Sequence, residues 1–529
     1  MRIVTLFASG QFRRKPLILF GTVIVGAFAA YQCAQFVLTG DFVALAVVGM
    51  AGVLGSIVIG ILNNWRNGAY LFLGWLLFED FARKFLGNNM VVYFAKDFLL
   101  LVVFISFVAA YRRAKEATFR PPFLFPLLLF VWFGILQIFN PGSTSVWYGL
   151  MGVKIFFYYT PLVFIGYALL NTEAELRRFF AINLSLMSFI AALGIAQSIL
   201  GPSFLNPANP AEDIRGLSTL YRVSPVTGYL AYRPTSVFVS AGRYADLIML
   251  AWLLVLGYGG YVLVRCKQWR AQTFVAIAIT AAAAFLTASR GAFMWGLING
   301  IVTSAAFVWG APWREGEALR AFRAVQRAVL ATALGIALLF FIYPDAISSR
   351  LAIYQETLSP DSSSSELGHR AWDYPLRNFI GAFNYERWPY GYGIGTTALG
   401  GQYVARLFGA KPVGVGIESG YGTLVVEMGV GGLLLWIVMS TAILFTSWKV
   451  LRKLKGTPWF PLGFVIFWYA FILLCVATFA GIQAYEDFVL NAYLWLLLGI
   501  LFRLPHIKLS AEIDGAQPIS PIFRRHWTV

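Results

Sequence analysis

Residues 239–264 read VSAGRYADLIMLAWLLVLGYGGYVLV, and this stretch decides the fold class. The eighteen residues from Leu247 to Val264 include no charged side chain, and the basic residues Arg265 and Lys267 follow them directly. A helix of about 20 apolar residues is long enough to cross the hydrocarbon core of a bilayer, which is roughly 30 Å thick. The stretch therefore predicts a membrane-spanning helix with a basic segment at one end.

Similar apolar runs recur along the chain. Hydrophobic residues make up 59% of the 529 positions and charged residues only 12%, and the mean hydropathy is +0.71. A soluble domain has about a quarter of its residues charged. The runs predict an all-α polytopic membrane protein with fourteen transmembrane helices. The expected spans are 17–38, 42–62, 68–86, 91–110, 123–140, 146–170, 179–200, 239–264, 271–288, 291–310, 328–343, 418–447, 460–482 and 488–502.

The net charge of +17 is explained by membrane orientation, so no nucleic-acid partner is expected. If the N-terminus is cytoplasmic, more than half of the 41 Lys and Arg residues lie in inward-facing segments. The short outer turns at 39–41 and 140–145 carry none. Basic residues in short loops mark the cytoplasmic side. The pattern predicts a multi-pass protein of the bacterial inner membrane with both termini in the cytoplasm.

Two outer segments are long, at 201–238 and 344–417, and arginines lie in them or at the adjacent helix ends. Basic residues should be rare on this side, and guanidinium groups bind phosphate oxygens bidentately. Position 290 would also stand at a helix N-terminus, which favours anions. We hypothesise a pyrophosphate-binding site formed by Arg233, Arg243, Arg290 and Arg370. Arginines that anchor a helix in the headgroups are the alternative, and we prefer it for Arg377, Arg387 and Arg406.

Candidate bases lie in the same outer segments. Glu418 precedes a span and could deprotonate a sugar hydroxyl, or it could be an ordinary acid beside Ser419 as the helix N-cap. His369 could be a base, a phosphate ligand or a solvated side chain. The last outer turn contains Glu486 and Asp487, which either border a cavity or form a polar cap. The third span carries the acid pair at 79–80 within its apolar run.

Several motifs are missing or misleading. The chain has no Gly-x-x-x-x-Gly-Lys phosphate loop, which argues against an ATP-driven enzyme. It also has no Asp-x-Asp pair of the kind that holds a metal and a nucleotide-sugar. Residues 389–395, PYGYGIG, resemble a nucleotide loop only superficially, and we interpret them as a tight turn that returns the chain to the membrane.

Six elements in this order resemble the bacterial O-antigen ligase and polymerase superfamily. They are RPTS at 233–236 with GR at 242–243, TASRGA at 287–292, Arg370 with Trp372, PYGYGIG at 389–395, ESGY at 418–421 and EMGVGG at 427–432. The similarity covers about residues 230–445. It implies an N-terminal bundle at 1–230, a catalytic region at 231–447 with a partly helical periplasmic loop at 344–417, C-terminal helices at 448–503 and a cytoplasmic tail at 504–529.

The resemblance implies a metal-independent, inverting glycosyltransferase of the all-helical membrane class, with no cofactor. Donor and acceptor would be glycans on undecaprenyl pyrophosphate, the bilayer would be the solvent, and a chain-length regulator would be an optional partner. Arg290 and Arg243 would bind the donor phosphates, together with Arg233. Glu418 or His369 would be the base.

Three alternatives to a repeat-unit polymerase stay open. Ligases that transfer glycan to lipid A core resemble one another in a His-Asn pair where this chain has Glu418 and Ser419, which favours a polymerase over a ligase acting on lipid A core or protein. A flippase or transporter would place its charges near the bilayer midplane, on broken helices in matching halves. A helical scaffold would leave the outward arginines unexplained.

Overall fold

A computed structural model of the protein describes residues 42–87, 89–114, 119–208, 220–223, 228, 230–266, 269–312, 317–358, 369–398, 400–411 and 413–510. The side chains of some helical residues within these ranges, among them His369 and Arg370, are outside the description. The expected first span, 17–38, and the end of the tail, 511–529, also lie outside it.

Helices dominate the described residues. The first seven are α1 Phe42–Asn63, α2 Trp65–Phe85, α3 Met90–Ala114, α4 Leu124–Leu136, α5 Val146–Phe157, α6 Leu162–Leu169 and α7 Glu173–Leu200. The next five are α8 Ala241–Arg265, α9 Arg270–Leu286, α10 Arg290–Gly310, α11 Glu317–Ile342 and α12 Pro344–Leu358. The last six are α13 Tyr374–Gly381, α14 Gly401–Phe408, α15 Gly420–Leu454, α16 Phe460–Phe471, α17 Gln483–Glu486 and α18 Phe488–Arg503.

The protein is a multi-pass helical membrane protein. Among the described residues, eight helical segments are long and apolar enough to cross a bilayer, and four further apolar helices are shorter. A helix lies at every expected span from 42–62 onward. The all-α class is therefore confirmed, whereas the count of fourteen spans stays a prediction.

Three expected spans are not uninterrupted helices. The span at 146–170 breaks into α5 and α6 at a turn that contains Pro161, because proline lacks an N–H donor and its ring crowds the preceding turn. Helix α15 kinks at Gly429, where φ is +70°. Helix α16 continues through a wider π turn, Ile472–Ala477, as far as Ala480.

Both long segments contain structure that sequence patterns only partly predict. Strands β1 Tyr221–Val223 and β2 Leu230–Tyr232 form an antiparallel hairpin in the segment 201–238, which was expected to be a loop. The segment 344–417 holds helices α12, α13 and α14, so it is partly helical as predicted.

The chain packs as two compact units. One contains residues 42–72 and 97–114, and in it Ser106 Oγ donates a hydrogen bond to the Ile61 carbonyl at 2.8 Å. The other contains residues 73–96 and everything described from 119 to 510. In this second unit α6 and α18 pack backbone to backbone: a Cβ at Gly166 would overlap the carbonyl of Leu496, and one at Gly499 would overlap that of Val163. Small residues allow such close helix contact in membranes.

Four helices of the second unit begin at the same end, which we call the loop end. Helices α8 and α10 pack in parallel, because the chain reverses direction once before the short helix α9 and once after it. The starts of α15 and α18 both lie beside the end of α16. Each of the four first turns has a side-chain cap, which satisfies free N–H groups; the capping residues are Ser240, Ser289, Ser419 and Asp487.

The PYGYGIG segment lies against the kink of α15, which agrees with its interpretation as a tight turn. Gly391, Gly393 and Gly395 all have positive φ, a conformation that glycine adopts at least cost. The N–H of Tyr392 donates to the Val426 carbonyl at 2.8 Å. A Cβ at Gly391 would overlap the Glu427 carbonyl. The segment and the kink therefore form one backbone-to-backbone contact.

We predict that Gly391→Ala lowers the thermal stability of the detergent-purified protein. An alanine at this position would have to adopt the observed φ of +78°, which costs about 1–2 kcal/mol. The overlap of its Cβ with helix α15 adds to this cost. Gly381→Ala is the control, since its φ is −58° and a Cβ there meets nothing within 4 Å. Equal melting temperatures for the two variants would contradict this account of the contact.

Candidate functional site

An arginine lies between two aspartates at the loop end. The Nε of Arg243 donates to Asp487 Oδ2 at 2.7 Å, and its Nη1 is hydrogen-bonded to Asp80 Oδ2. The ring of Phe488 lies beneath the guanidinium, with 3.9 Å between Cζ and the ring centroid. The buried Nη2 of Arg243 has no hydrogen-bond partner among the described residues. Two carboxylates thus orient the group and leave one edge for another acceptor.

Asp487 has two roles at once. Its Oδ1 accepts from the N–H groups of Val489 and Leu490 at 2.9 and 3.1 Å, which caps helix α18. Its Oδ2 binds Arg243. The sequence left a polar cap and a cavity border as alternatives for this turn, and the structure shows both: Asp487 caps the helix, and Glu486 lines a cavity.

Arg233 shares an aspartate with Arg243. Asp246, on the second turn of α8, interacts electrostatically with both arginines and with Asp487. Burial lowers the pKa of the Arg233 guanidinium, and attraction to Asp246 offsets part of this effect. The guanidinium stays charged at neutral pH. The structure therefore brings two of the four predicted phosphate ligands into one cluster of charges, which we call the Arg243 cluster: Asp80, Arg233, Arg243, Asp246 and Asp487.

Lys84 fixes the turn that carries Arg233. Its amine donates to Asn206 Oδ1 at 2.9 Å, to Thr235 Oγ1 at 2.9 Å and to the Ser236 carbonyl at 2.6 Å. Ser236 itself has a φ of +49°, a conformation that non-glycine residues rarely adopt. The buried amine thus stabilises a strained turn directly after Arg233.

Arg290 lies at the N-terminus of helix α10, as the sequence predicted. Ser289 caps the helix by accepting from the Ala292 N–H at 3.4 Å. The guanidinium of Arg290 is buried and pairs with Glu356 of helix α12 at 3.2 Å. Arg290 and Arg243 thus share the loop end but bind different carboxylates.

Arg350 connects the β1–β2 hairpin to the end of helix α9, four residues before Arg290. Its Nε donates to the Leu286 carbonyl at 3.0 Å and its Nη2 to the Tyr232 carbonyl at 2.9 Å. Burial lowers the pKa of the Arg350 guanidinium. Charge-assisted bonds to two carbonyls fasten α12 across both elements, a role that the sequence did not reveal.

Glu418 lines a polar cavity at the loop end. The cavity has an empty volume of about 280 Å³, including space open to solvent, and its other lining residues are Thr397, Ile417, Thr423, Ile482, Gln483 and Glu486. Glu486 lines the cavity, and the next residue in the chain, Asp487, belongs to the Arg243 cluster.

Glu427 holds Thr397, one of the residues that line the cavity. Its Oε2 accepts from the Gly395 N–H at 2.8 Å, and its Oε1 accepts from the N–H and the hydroxyl of Thr397 at 2.8 and 2.7 Å. The carboxylate is fully buried. Helix α15 therefore contributes to the cavity twice: Glu418, which precedes its first turn, lines the cavity, and Glu427, two turns further on, binds the lining residue Thr397.

For two of the predicted site residues, the structure describes the backbone but not the side chain. His369 and Arg370 begin a π turn, His369–Asp373, that leads into α13. Their side chains lie outside the description, so their assignments as base and phosphate ligand stay predictions.

Sequence reasoning missed four residues of this site: Asp80, Lys84, Asp246 and Glu427. Each binds or interacts electrostatically with other residues of the site. Asp80 did leave a signal, because it is an acid inside an otherwise apolar run. Such residues are expensive in a membrane and usually have a partner. The partner, Arg243, lies 163 positions away in the chain.

No protein-family model matches the chain, and no curated protein matches its sequence. The geometry of the site and the sequence motifs are therefore what indicates a function.

We predict that Glu427→Gln destabilises the protein by about 1–3 kcal/mol, because a glutamine has a single acceptor oxygen and its amide must face one of the N–H donors. The matched control is Glu386→Gln, at an exposed position in the same long segment. Thermal unfolding in detergent measures the difference. If Glu427→Gln and Glu386→Gln had the same melting temperature, these hydrogen bonds would not order the cavity wall.

Proposed function

We propose that the protein polymerises glycan repeat units carried on undecaprenyl pyrophosphate, at the periplasmic face of a bacterial inner membrane, as an inverting glycosyltransferase. The observation that carries the proposal is the position of Glu418 in a polar cavity whose lining includes Glu486, the residue next to Asp487 of the Arg243 cluster. A carboxylate and fixed guanidinium groups are what transfer from a pyrophosphate requires: a base for the acceptor and cations for the leaving group.

Arginines on the donor side favour a diphosphate ligand. Arg243 and Arg233 lie around Asp246, and Arg243 keeps an unpaired Nη2 toward which a phosphate oxygen could be drawn. Buried polar atoms without partners are rare and call for a ligand or a water. In this proposal Arg290 binds the same donor from α10 once its pair with Glu356 opens.

A lipid-linked donor fits the outer surface of α10. Leu297, Ile301 and Val308 lie on one side of this helix and are 48%, 70% and 70% exposed. Exposed apolar side chains of a membrane helix face lipid. A polyprenyl chain lying along α10 would bring its pyrophosphate to Arg290 at the helix N-terminus, where the helix dipole favours an anion.

The reaction assigns one role to each group. Glu418 takes the proton from an acceptor hydroxyl as its oxygen bonds to the anomeric carbon of the donor sugar. The bond from that carbon to the pyrophosphate oxygen breaks, and undecaprenyl pyrophosphate leaves with the bonding electrons. Attack from the side opposite the leaving group inverts the anomeric centre. The arginines stabilise the charge that develops on the pyrophosphate.

The acceptor distinguishes a polymerase from a ligase. Glu418 and Ser419 occupy the positions of the His-Asn pair in which lipid A core ligases resemble one another. We therefore favour a second lipid-linked unit as acceptor over lipid A core or a protein. With both termini cytoplasmic, the cavity faces the periplasm.

We predict that Glu418→Gln lowers kcat about 10²- to 10⁴-fold, the range that general bases contribute. The assay incubates the nanodisc-reconstituted protein with undecaprenyl-pyrophosphate oligosaccharide and follows glycan length by gel. Glu386→Gln, which removes an exposed acid of the same segment, should retain full activity. If the wild-type protein does not lengthen the glycan, the proposed function is wrong. If the wild type lengthens the glycan and Glu418→Gln is equally active, another group is the base.

We predict that Arg290→Ala reduces kcat/KM for the same donor at least tenfold, because one charge-assisted contact to phosphate is lost. Arg377→Ala is the control, since Arg377 is an exposed arginine of α13 in the long segment. Steady-state kinetics with the donor varied measures the effect. Equal values for the two variants would remove Arg290 from the donor site.

A further inference from the structure

We infer that one turn of helix α2, from Asp80 to Lys84, positions both arginines of the Arg243 cluster for the donor pyrophosphate. This inference rests on the proposed function and extends it to the N-terminal bundle, where sequence motifs gave no functional residue. Asp80 and Lys84 are four positions apart and so lie on the same face of the helix.

The two residues act on different arginines. Asp80 binds the guanidinium of Arg243 directly. Lys84 donates two hydrogen bonds to the turn that follows Arg233, one to Thr235 and one to Ser236. Asp80 and Lys84 are about 6 Å apart along the helix axis, so this one turn joins Arg243 to the segment that directly follows Arg233.

The turn itself is held in place. Arg83 binds Asp80 at 2.9 Å, and its Nη2 donates to the Tyr403 hydroxyl at 3.2 Å. Lys96 pairs with Glu79 at 3.2 Å. All of these side chains are buried or nearly so. Such a network costs desolvation energy and, on its own, is weak evidence for stability; it does restrict the directions in which Asp80 and Lys84 can move.

The backbone of the Arg233 turn is also held from a second side. Gln197 Oε1 accepts from the N–H groups of Thr235 and Ser236 at 2.8 and 2.7 Å. The turn thus has fixed N–H and C=O groups, and Lys84 supplies the only cation among its described hydrogen-bond partners. Substituting Lys84 alone should shift the turn without unfolding it.

We predict that Asp80→Asn and Lys84→Met each lower kcat about tenfold to a hundredfold with little change in KM. A displacement of about 1 Å at a reacting centre is enough for a loss of this size. Asp345→Asn and Lys411→Met are the matched controls, because both side chains are exposed. The readout is glycan polymerisation in nanodiscs, with the melting temperature and gel-filtration profile of each variant recorded alongside.

A double-mutant cycle separates positioning from general stabilisation. If Asp80 acts through Arg243, Asp80→Asn should have no further effect on kcat in an Arg243→Ala background, and Lys84→Met should have none in an Arg233→Ala background. Additive losses in both cycles would overturn the inference. So would a lower KM for Asp80→Asn at unchanged kcat, since the carboxylate would then only compete with the phosphate.

Two further measurements keep the inference testable. If Asp80→Asn does not fold, Asp80→Glu keeps the charge but moves the carboxylate by one methylene, and the same loss of kcat is expected. If wild type is inactive, the proposed function fails, and the inference is tested by binding of undecaprenyl pyrophosphate to nanodiscs. Weaker, non-additive binding in the same variants would support it, and wild-type binding would overturn it.

Discussion

The carboxylate of Asp487 is shared by a helix and an arginine, and the site depends on this sharing. One oxygen satisfies two free N–H groups at the start of α18, and the other binds Arg243 of α8. A helix N-terminus and a guanidinium both attract negative charge, so a single acid fixes the position of one relative to the other. Glu486, which lines the cavity, precedes Asp487 in the chain and is placed by the same constraint.

The charged side chains at the loop end are surrounded by apolar sequence. Buried charges in a membrane protein need partners, and here two of the ion pairs join helices that are distant in sequence. Asp80 of α2 binds Arg243 of α8, and Glu356 of α12 binds Arg290 of α10. The ion pairs therefore act as cross-links between helices at the loop end. They also hold the arginines partly neutralised in this structure.

Backbone geometry provides the second constraint. The kink of α15 at Gly429 and the positive-φ glycines of residues 391–395 let two backbones meet without side chains between them. Glu427 closes this contact with three hydrogen bonds. Helix α15 thus places both Glu427, which binds the lining residue Thr397, and Glu418, which lines the cavity directly.

The sequence by itself determined the membrane class and most helix positions, because apolar runs and their breaks depend on local composition. It also identified Arg243, Arg290 and Glu418 as residues at helix ends, since charges there conflict with the surrounding pattern. Only the tertiary structure decided that Asp80 and Lys84 belong to the site and that Arg350 fastens it. Asp80 binds Arg243, 163 positions away, and Lys84 binds Asn206 and Thr235, 122 and 151 positions away, whereas Arg350 binds carbonyl groups. Side-chain pairing over such distances leaves no periodic signal in a single sequence.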